Sequence, residues 1–156
     1  MNRKSKHRYE FRRAWSWPGD VEDFIRKHVE HPCLNACAGD SDIGDVKLDL
    51  YYAKDGGTVI GDIFNPPFPP ESFQCIVIDP PWHLAYHLRP KLIRILRDLL
   101  RPGGKLIFNA PWWFSLPDLK IQEVWYAVPK AWRNCPLIII ARRLPARSGG
   151  TSSGSR

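Results

Sequence analysis

The chain has 156 residues, of which 44% are hydrophobic, and it carries a formal net charge of +7. This length suits a single domain with a sizeable core and leaves little room for a second one. The sequence has no apolar run of about 18 residues and no secretory signal pattern, so we expect an intracellular, cytoplasmic protein with no membrane partner. The excess of basic residues favours an anionic partner without identifying it.

The chain divides into a predicted arm, a domain and a tail. Residues 1–17 form the arm, in which basic residues outnumber the one acid and alternate with Tyr9 and Phe11. Such an arm either contacts the phosphates and bases of a nucleic acid or is a solvated terminus. Residues 18–145 form the domain, and the Gly/Ser-rich residues 146–156 are a predicted disordered tail.

The domain begins with a predicted helix and a short strand. Pro18 to Asp20 resembles a helix start, and apolar residues recur at helical spacing as far as His31. We expect this helix to cover one face of a sheet. Residues 33–38 then read as a strand, and the small-residue turn at 39–44 leaves no room for a full helix before the next strand.

Two further strands each lead to an aspartate. Residues 45–51 alternate between apolar and polar side chains, with Asp49 near the carboxyl end, and residues 58–61 end at Asp62. Ligands of open α/β sheets bind at the carboxyl ends of the strands. We therefore expect both carboxylates to lie at a binding edge.

The fourth strand is the centre of the predicted sheet. Residues 75–78 form an apolar, β-branched run, which is typical of a parallel strand covered on both faces. Pro80 and Pro81 then stop the strand and leave Asp79 at its carboxyl end. Residues 65–68 also read Asn-Pro-Pro-Phe, but no apolar strand runs into them, so a stiff surface loop is the better interpretation.

The second half of the domain repeats the pattern of helix and strand. Residues 83–89 are a predicted loop over the active site, in which Tyr86 and His87 are candidate substrate contacts. A helix follows from Pro90, and Arg101 to Gly104 form a turn into a fifth strand. This fifth strand covers residues 105–109 and carries Asn109 to the binding edge, beside Trp112 and Trp113. Two final strands are predicted at residues 121–128 and 136–142.

The four cysteines do not form a convincing metal site. They stand at positions 33, 37, 75 and 135, without a Cys-x-x-Cys pair or a suitable histidine partner. We predict buried thiols and no metal.

Asp79, Pro80, Pro81 and Trp82 carry the most specific chemistry of the sequence. Proline has a carbonyl but no N–H, so this turn offers stiff hydrogen-bond acceptors beside a carboxylate that also accepts. Such acceptors suit an exocyclic NH2 group, and Trp82 offers a flat surface on which a base can stack. The four residues resemble the Asp/Asn/Ser-Pro-Pro-aromatic motif of class I S-adenosylmethionine-dependent methyltransferases that modify adenine N6 or cytosine N4.

The resemblance implies a Rossmann-like α/β fold with a sheet of about seven, mostly parallel, strands, reduced helices and S-adenosylmethionine as cofactor. It covers about residues 33–143, although a full Gly-x-Gly-x-x-Gly loop is absent. It implies that Asp49 holds the ribose and Asp62 the adenine. The cofactor-binding residues that it implies are Ala38, Gly39, Asp40, Asp49, Leu50, Asp62, Ile63, Phe64 and Asp79, and the substrate-binding residues are Trp82, Tyr86, His87, Asn109 and Trp112.

Three functions remain open from the sequence. The first is methylation of an exocyclic amine of a DNA or RNA base, with a partner subunit that supplies specificity. The second is methylation of another amine or amide, although the amide-modifying pattern prefers Asn-Pro-Pro-Tyr. The third is a non-catalytic module that keeps the fold and binds nucleic acid or a catalytic partner.

Overall fold

The computed structural model describes residues 17, 19–51, 53, 57–81, 84–109, 112–126 and 137–145. They contain a seven-stranded sheet in the order β3-β2-β1-β4-β5-β7-β6. The strands are β1 (Cys33–Ala36), β2 (Val46–Asp49), β3 (Thr58–Ile60), β4 (Phe73–Ile78), β5 (Leu100–Asn109), β6 (Leu119–Tyr126) and β7 (Leu137–Arg143). The helices of the described ranges are α1 (Gly19–His28), α2 (Arg89–Leu99) and a 3-10 turn at Tyr86–Leu88.

The sheet is parallel except for β7, which runs antiparallel to both β5 and β6. Strand β4 lies at the centre, paired with β1 on one side and β5 on the other. The predicted α/β class, the seven strands and the central position of residues 75–78 are therefore confirmed. The chain passes from β1 to β2 through residues 37–45 without a helix, as the small-residue turn predicts.

One helix packs on each face of the sheet, and β4 shows how its residues serve both. Cys75 and Val77 face the α1 side, and Ile76 and Ile78 face the α2 side. All four side chains are fully buried. The α1 side also contains Trp17, Val21 and Ile25, and the α2 side contains Leu92, Ile93, Leu96 and Leu99. Burial on both faces accounts for the continuous apolar run of this strand.

Several predicted boundaries were wrong by a few residues. Strand β1 ends at Ala36 instead of residue 38, because Cys37 has a φ of 56° and left-handed backbone cannot continue a strand. Helix α1 ends at His28, three residues before the predicted end. The predicted loop at 83–89 is helical from Tyr86 onward, with Arg89 as the first residue of α2.

The predicted turn at residues 101–104 lies inside β5 as a bulge. Phe73 pairs with Leu100 and Cys75 with Lys105, so β5 carries extra residues opposite β4. Gly103 adopts a φ of 78°, which glycine tolerates without a steric penalty. The chain therefore keeps its direction through the bulge and stays in the ladder, parallel to β4.

Residues 1–16 of the predicted arm, the predicted tail at 146–156 and Cys135 lie outside the described residues. Trp82 and His83 are also outside them. Within the described ranges, no helix is long and apolar enough to cross a membrane.

Candidate functional site

The carboxyl ends of β2, β3 and β4 bring three acids to one edge of the sheet. Asp49 is the last residue of β2, Asp62 follows β3 by two residues, and Asp79 comes directly after β4. All three carboxylates influence the pKa of the Cys37 thiol, which lies in the loop after β1. Burial raises the pKa of Cys37 to about 12, with further contributions from Asp49, Asp79 and Asp62. The three predicted acids therefore lie at the same edge of the sheet as Cys37.

The loop after β1 folds back over the end of β2. Cys37 and Gly39 both have left-handed backbone, with φ of 56° and 53°. The Ala38 N–H donates to the Leu48 carbonyl at 3.2 Å, and the Gly39 N–H donates to Asp49 Oδ2 at 3.1 Å. Asp40 follows, half-buried, in the same turn. This loop therefore occupies the position expected of a cofactor loop without the usual glycine series.

Asp49 joins this loop to the chain after β2. Its Oδ1 accepts the Tyr51 N–H at 3.0 Å, and its Oδ2 accepts the Gly39 N–H. These two bonds orient the carboxylate at the carboxyl end of β2. Leu50 lies between Asp49 and Tyr51 and exposes 45% of its surface at this edge.

Asp62 begins a tight turn after β3. Its Oδ1 accepts the Phe64 N–H at 2.8 Å, and its carbonyl accepts the Asn65 N–H at 2.9 Å. Asp62 itself is exposed, whereas Ile63 is buried in the α2-side core and Phe64 is half-buried. No strand runs into Asn65, because β3 ends at Ile60.

Asp79 is held by a buried amide from the neighbouring strand. Asn109, at the end of β5, is 3% exposed, and its Nδ2 donates to Asp79 Oδ1 at 3.1 Å. The Leu137 N–H donates to the Asn109 Oδ1 at 3.1 Å, which fixes which end of the amide faces Asp79. Asn109 therefore orients Asp79, where the sequence predicted a substrate contact.

The two prolines after Asp79 differ in what their carbonyls do. The Pro81 carbonyl accepts the Leu84 N–H at 3.0 Å and closes a turn. The Pro80 carbonyl accepts no hydrogen bond from the described residues, although Pro80 is buried beside Asp79. Of the two predicted acceptors, Pro80 is thus the better placed to receive a ligand N–H.

The predicted aromatic contacts after β4 and β5 differ in how much surface they expose. Tyr86 is 82% exposed and Trp113 is 64% exposed, whereas Trp112 is only 9% exposed. The Trp112 ring packs edge-on against Phe108 at a centroid distance of 4.8 Å. His87 is exposed in the 3-10 turn. Trp112 is therefore largely a core residue, and Tyr86 and Trp113 present more surface to a ligand.

Two residues of this edge had no assigned role in the sequence. Cys37 was predicted only as a buried thiol, although its position directly before Ala38 and Gly39 could have indicated the cofactor loop. Arg89 was assigned to the loop before α2, yet its Cζ lies over the Tyr86 ring at 4.1 Å and over the Trp112 ring at 5.1 Å. No local sequence signal indicates that second contact.

The fold resembles that of several solved methyltransferase structures. A 1,6-didemethyltoxoflavin-N1-methyltransferase from Burkholderia thailandensis, bound to its substrate and S-adenosylhomocysteine, has a TM-score of 0.64 at 13% identity over 81% of this chain and 77% of its own. The putative methyltransferase yhhF from Escherichia coli has a TM-score of 0.60 at 13% identity, covering 81% and 85%. The N-methyltransferase NodS from Bradyrhizobium japonicum, in complex with S-adenosylhomocysteine, has a TM-score of 0.56 at 14% identity, covering 71% and 76%.

The chain therefore has the Rossmann-like fold of class I methyltransferases. No protein-family model matches the sequence, and no curated protein matches it significantly. At these identities the likeness defines the fold, and the chemistry has to be argued from the site.

Proposed function

We propose that the protein is an S-adenosylmethionine-dependent methyltransferase that acts on the exocyclic amine of a nucleic-acid base, adenine N6 or cytosine N4. The observation that carries this proposal is the acceptor pair at the end of β4. The Asp79 carboxylate is oriented by Asn109, and the neighbouring Pro80 carbonyl accepts no bond within the described residues. Two acceptors on a stiff turn match the two N–H donors of such an amine.

The acids of the edge fit the proposed cofactor. Asp49, Asp62 and Asp79 stand at the carboxyl ends of β2, β3 and β4, and carboxylates at this edge suit the positive charge of a sulfonium. Asp49 would hold the ribose hydroxyls, and Asp62 would accept from the adenine amine beside Phe64. The loop at residues 38–40 would lie against the amino acid part. When bound, S-adenosylmethionine supplies an electrophilic methyl group on a sulfonium.

The residues after β4 would prepare the amine for attack. The lone pair of an exocyclic amine is delocalised into the ring, which makes the nitrogen a poor nucleophile. By accepting both N–H hydrogens, Asp79 and the Pro80 carbonyl would hold the pyramidal nitrogen with its lone pair toward the methyl carbon. The amine becomes far more acidic as it gains the methyl group, so Asp79 can take its proton without being a strong base.

The base would have to leave its stack to reach this turn. Trp82, which lies outside the described residues, is the sequence's candidate for stacking the flipped base. Tyr86 and Trp113 are exposed and could offer further stacking surface. The net charge of +7 and the basic arm at residues 1–17 favour a polyanionic partner. Two of the structural neighbours are named N-methyltransferases, which agrees with a nitrogen acceptor.

The test is transfer of a labelled methyl group from S-adenosylmethionine to single-stranded and duplex DNA, RNA, free nucleosides and unrelated protein. We expect label in a nucleic acid, released on digestion as N6-methyladenine or N4-methylcytosine. Label confined to protein or to small amines would contradict the proposed substrate. Failure to bind the cofactor in calorimetry would instead favour a non-catalytic module that keeps the fold.

A further inference from the structure

Arg89 is the first residue of α2 and is linked through Leu84 to the turn that follows Asp79. Its Cζ is 4.1 Å from the centroid of the Tyr86 ring and 5.1 Å from that of Trp112. Its Nε donates to the Leu84 carbonyl at 3.2 Å. Aromatic contacts of this kind use the face of the guanidinium, whereas its N–H donors lie in the plane. The two terminal nitrogens therefore keep their donors for another partner.

No carboxylate of the described residues pairs with Arg89. Among the described residues Arg94 and Arg101 also lack a carboxylate partner, whereas four other arginines each contact at least one acid. These are Arg26 with Glu22, Arg97 with Asp118, Arg142 with Glu30 and Arg143 with Glu71. The Arg89 guanidinium is thus a fixed cation with an open pair of nitrogens, which is the arrangement that binds a phosphate or carboxylate with two parallel hydrogen bonds.

Short chains of contacts connect Arg89 to Asp79 from two sides. On one side, Leu84 accepts from Arg89 through its carbonyl and donates its N–H to Pro81, two residues after Asp79. On the other, Trp112 packs against Phe108, whose neighbour Asn109 donates to Asp79. Arg89 is therefore held in a defined position relative to the acceptor that we propose for the amine.

We propose that Arg89 binds a backbone phosphate of the substrate, so that the methylated base belongs to a nucleotide chain and not to a free base or nucleoside. This inference rests on the proposed function and specifies its substrate. The stacked guanidinium would contact the phosphate next to the flipped base, and the Asp79 turn would receive the base itself. The contact would position the substrate without taking part in methyl transfer.

The test compares the binding of two short single-stranded oligonucleotides that contain the same adenines and cytosines. One has an ordinary phosphodiester backbone and the other an uncharged methylphosphonate backbone, and ribose and deoxyribose versions of the charged one are both used. Arg89→Gln removes the charge, and Arg89→Lys keeps the charge but not the planar fork. Arg94→Gln is the matched control, because Arg94 is exposed on the same helix. Calorimetry gives the dissociation constants.

We expect Arg89→Gln to weaken binding of the charged oligonucleotide about tenfold or more, since a hydrogen bond to a charged group is lost. Binding of the uncharged oligonucleotide should be unchanged, Arg89→Lys should be intermediate, and Arg94→Gln should have little effect. Equal losses for both oligonucleotides, or for both arginine positions, would overturn the proposal, as would a parental protein that binds neither. Because binding is measured without methyl transfer, absent catalysis would refute the proposed function alone.

Discussion

Replacing Asn109 with aspartate tests how the sheet orients Asp79. The Asn109→Asp variant would bring a second carboxylate to the position from which Asn109 Nδ2 donates to Asp79 Oδ1 at 3.1 Å. The Leu137 N–H would keep an acceptor, so the change affects charge more than hydrogen bonding at β7. Two unit charges about 4 Å apart repel by about 4 kcal/mol at an effective dielectric constant of about 20.

This repulsion should raise the pKa of the carboxylate pair, so that the two groups share one proton up to about pH 7. The folded Asn109→Asp protein then binds more protons than the unfolded chain between about pH 4 and pH 7. Its stability relative to the parental protein should therefore be highest at acidic pH and fall as the pH rises through that range. Urea unfolding at pH 5 and pH 8 measures the difference, which we expect to reach about 2–4 kcal/mol.

The Asn109→Ala variant is the control for this experiment. It leaves the half-buried Leu137 N–H without its acceptor, which costs about 1–3 kcal/mol at every pH. If Asn109→Asp showed the same pH-independent loss as Asn109→Ala, the two carboxylates would not interact. The structural account of how Asp79 is oriented would then be wrong.

Two further predictions concern the cofactor edge and the opposite end of the sheet. Asp49→Ala should weaken S-adenosylmethionine binding about ten- to hundredfold in calorimetry. Asp45→Ala is the control, because the Asp45 carboxylate accepts the Cys33 N–H at the other end of β2. It should lower the stability of the protein and leave cofactor affinity unchanged. Glu30 contacts Lys105 at 2.7 Å and Arg142 at 2.9 Å, and hydrogen bonding chiefly from Arg142 lowers the pKa of Glu30 from 4.5 to about 2. Glu30→Gln should therefore cost about 1–2 kcal/mol at neutral pH after allowance for solvent exposure, and this difference should shrink as the pH falls from about 4.5 toward 2.

The outcomes that would contradict these two predictions are separate. Equal cofactor affinity in the Asp49→Ala and Asp45→Ala proteins would remove Asp49 from the cofactor site. A Glu30→Gln protein whose deficit in unfolding free energy stayed constant between pH 7 and pH 3 would show that the carboxylate charge of Glu30 does not stabilise the fold.

Local patterns in the sequence were enough to predict the strands and the three acids. The apolar run before Asp79 and the two prolines after it define a buried strand and its end without reference to the rest of the chain. The same holds for Asp49 and Asp62, because each follows a short strand pattern. Their convergence follows from the shared carboxyl edge of a parallel sheet.

The contacts that orient these groups could not be predicted in the same way, because they join residues far apart in the chain. Asp79 accepts a hydrogen bond from a residue 30 positions away, and Asn109 accepts one from a residue 28 positions away. The second aromatic contact of Arg89 depends on Trp112, which packs against Phe108 of β5. Cys37 ends β1 by its backbone conformation, which an apolar run of letters does not reveal.

The most direct measurement is the rate of a single turnover by the Asp79→Ala protein, with cofactor saturating and the nucleic-acid acceptor identified by labelling. Asp79 would position the amine and take its proton, so we expect methyl transfer to slow by about 10²-fold or more, while calorimetry shows nearly unchanged cofactor affinity. Asp98→Ala, at an exposed acid near the end of α2, should transfer at the parental rate. Transfer by Asp79→Ala at the parental rate would contradict the central claim that this carboxylate presents the amine for methylation.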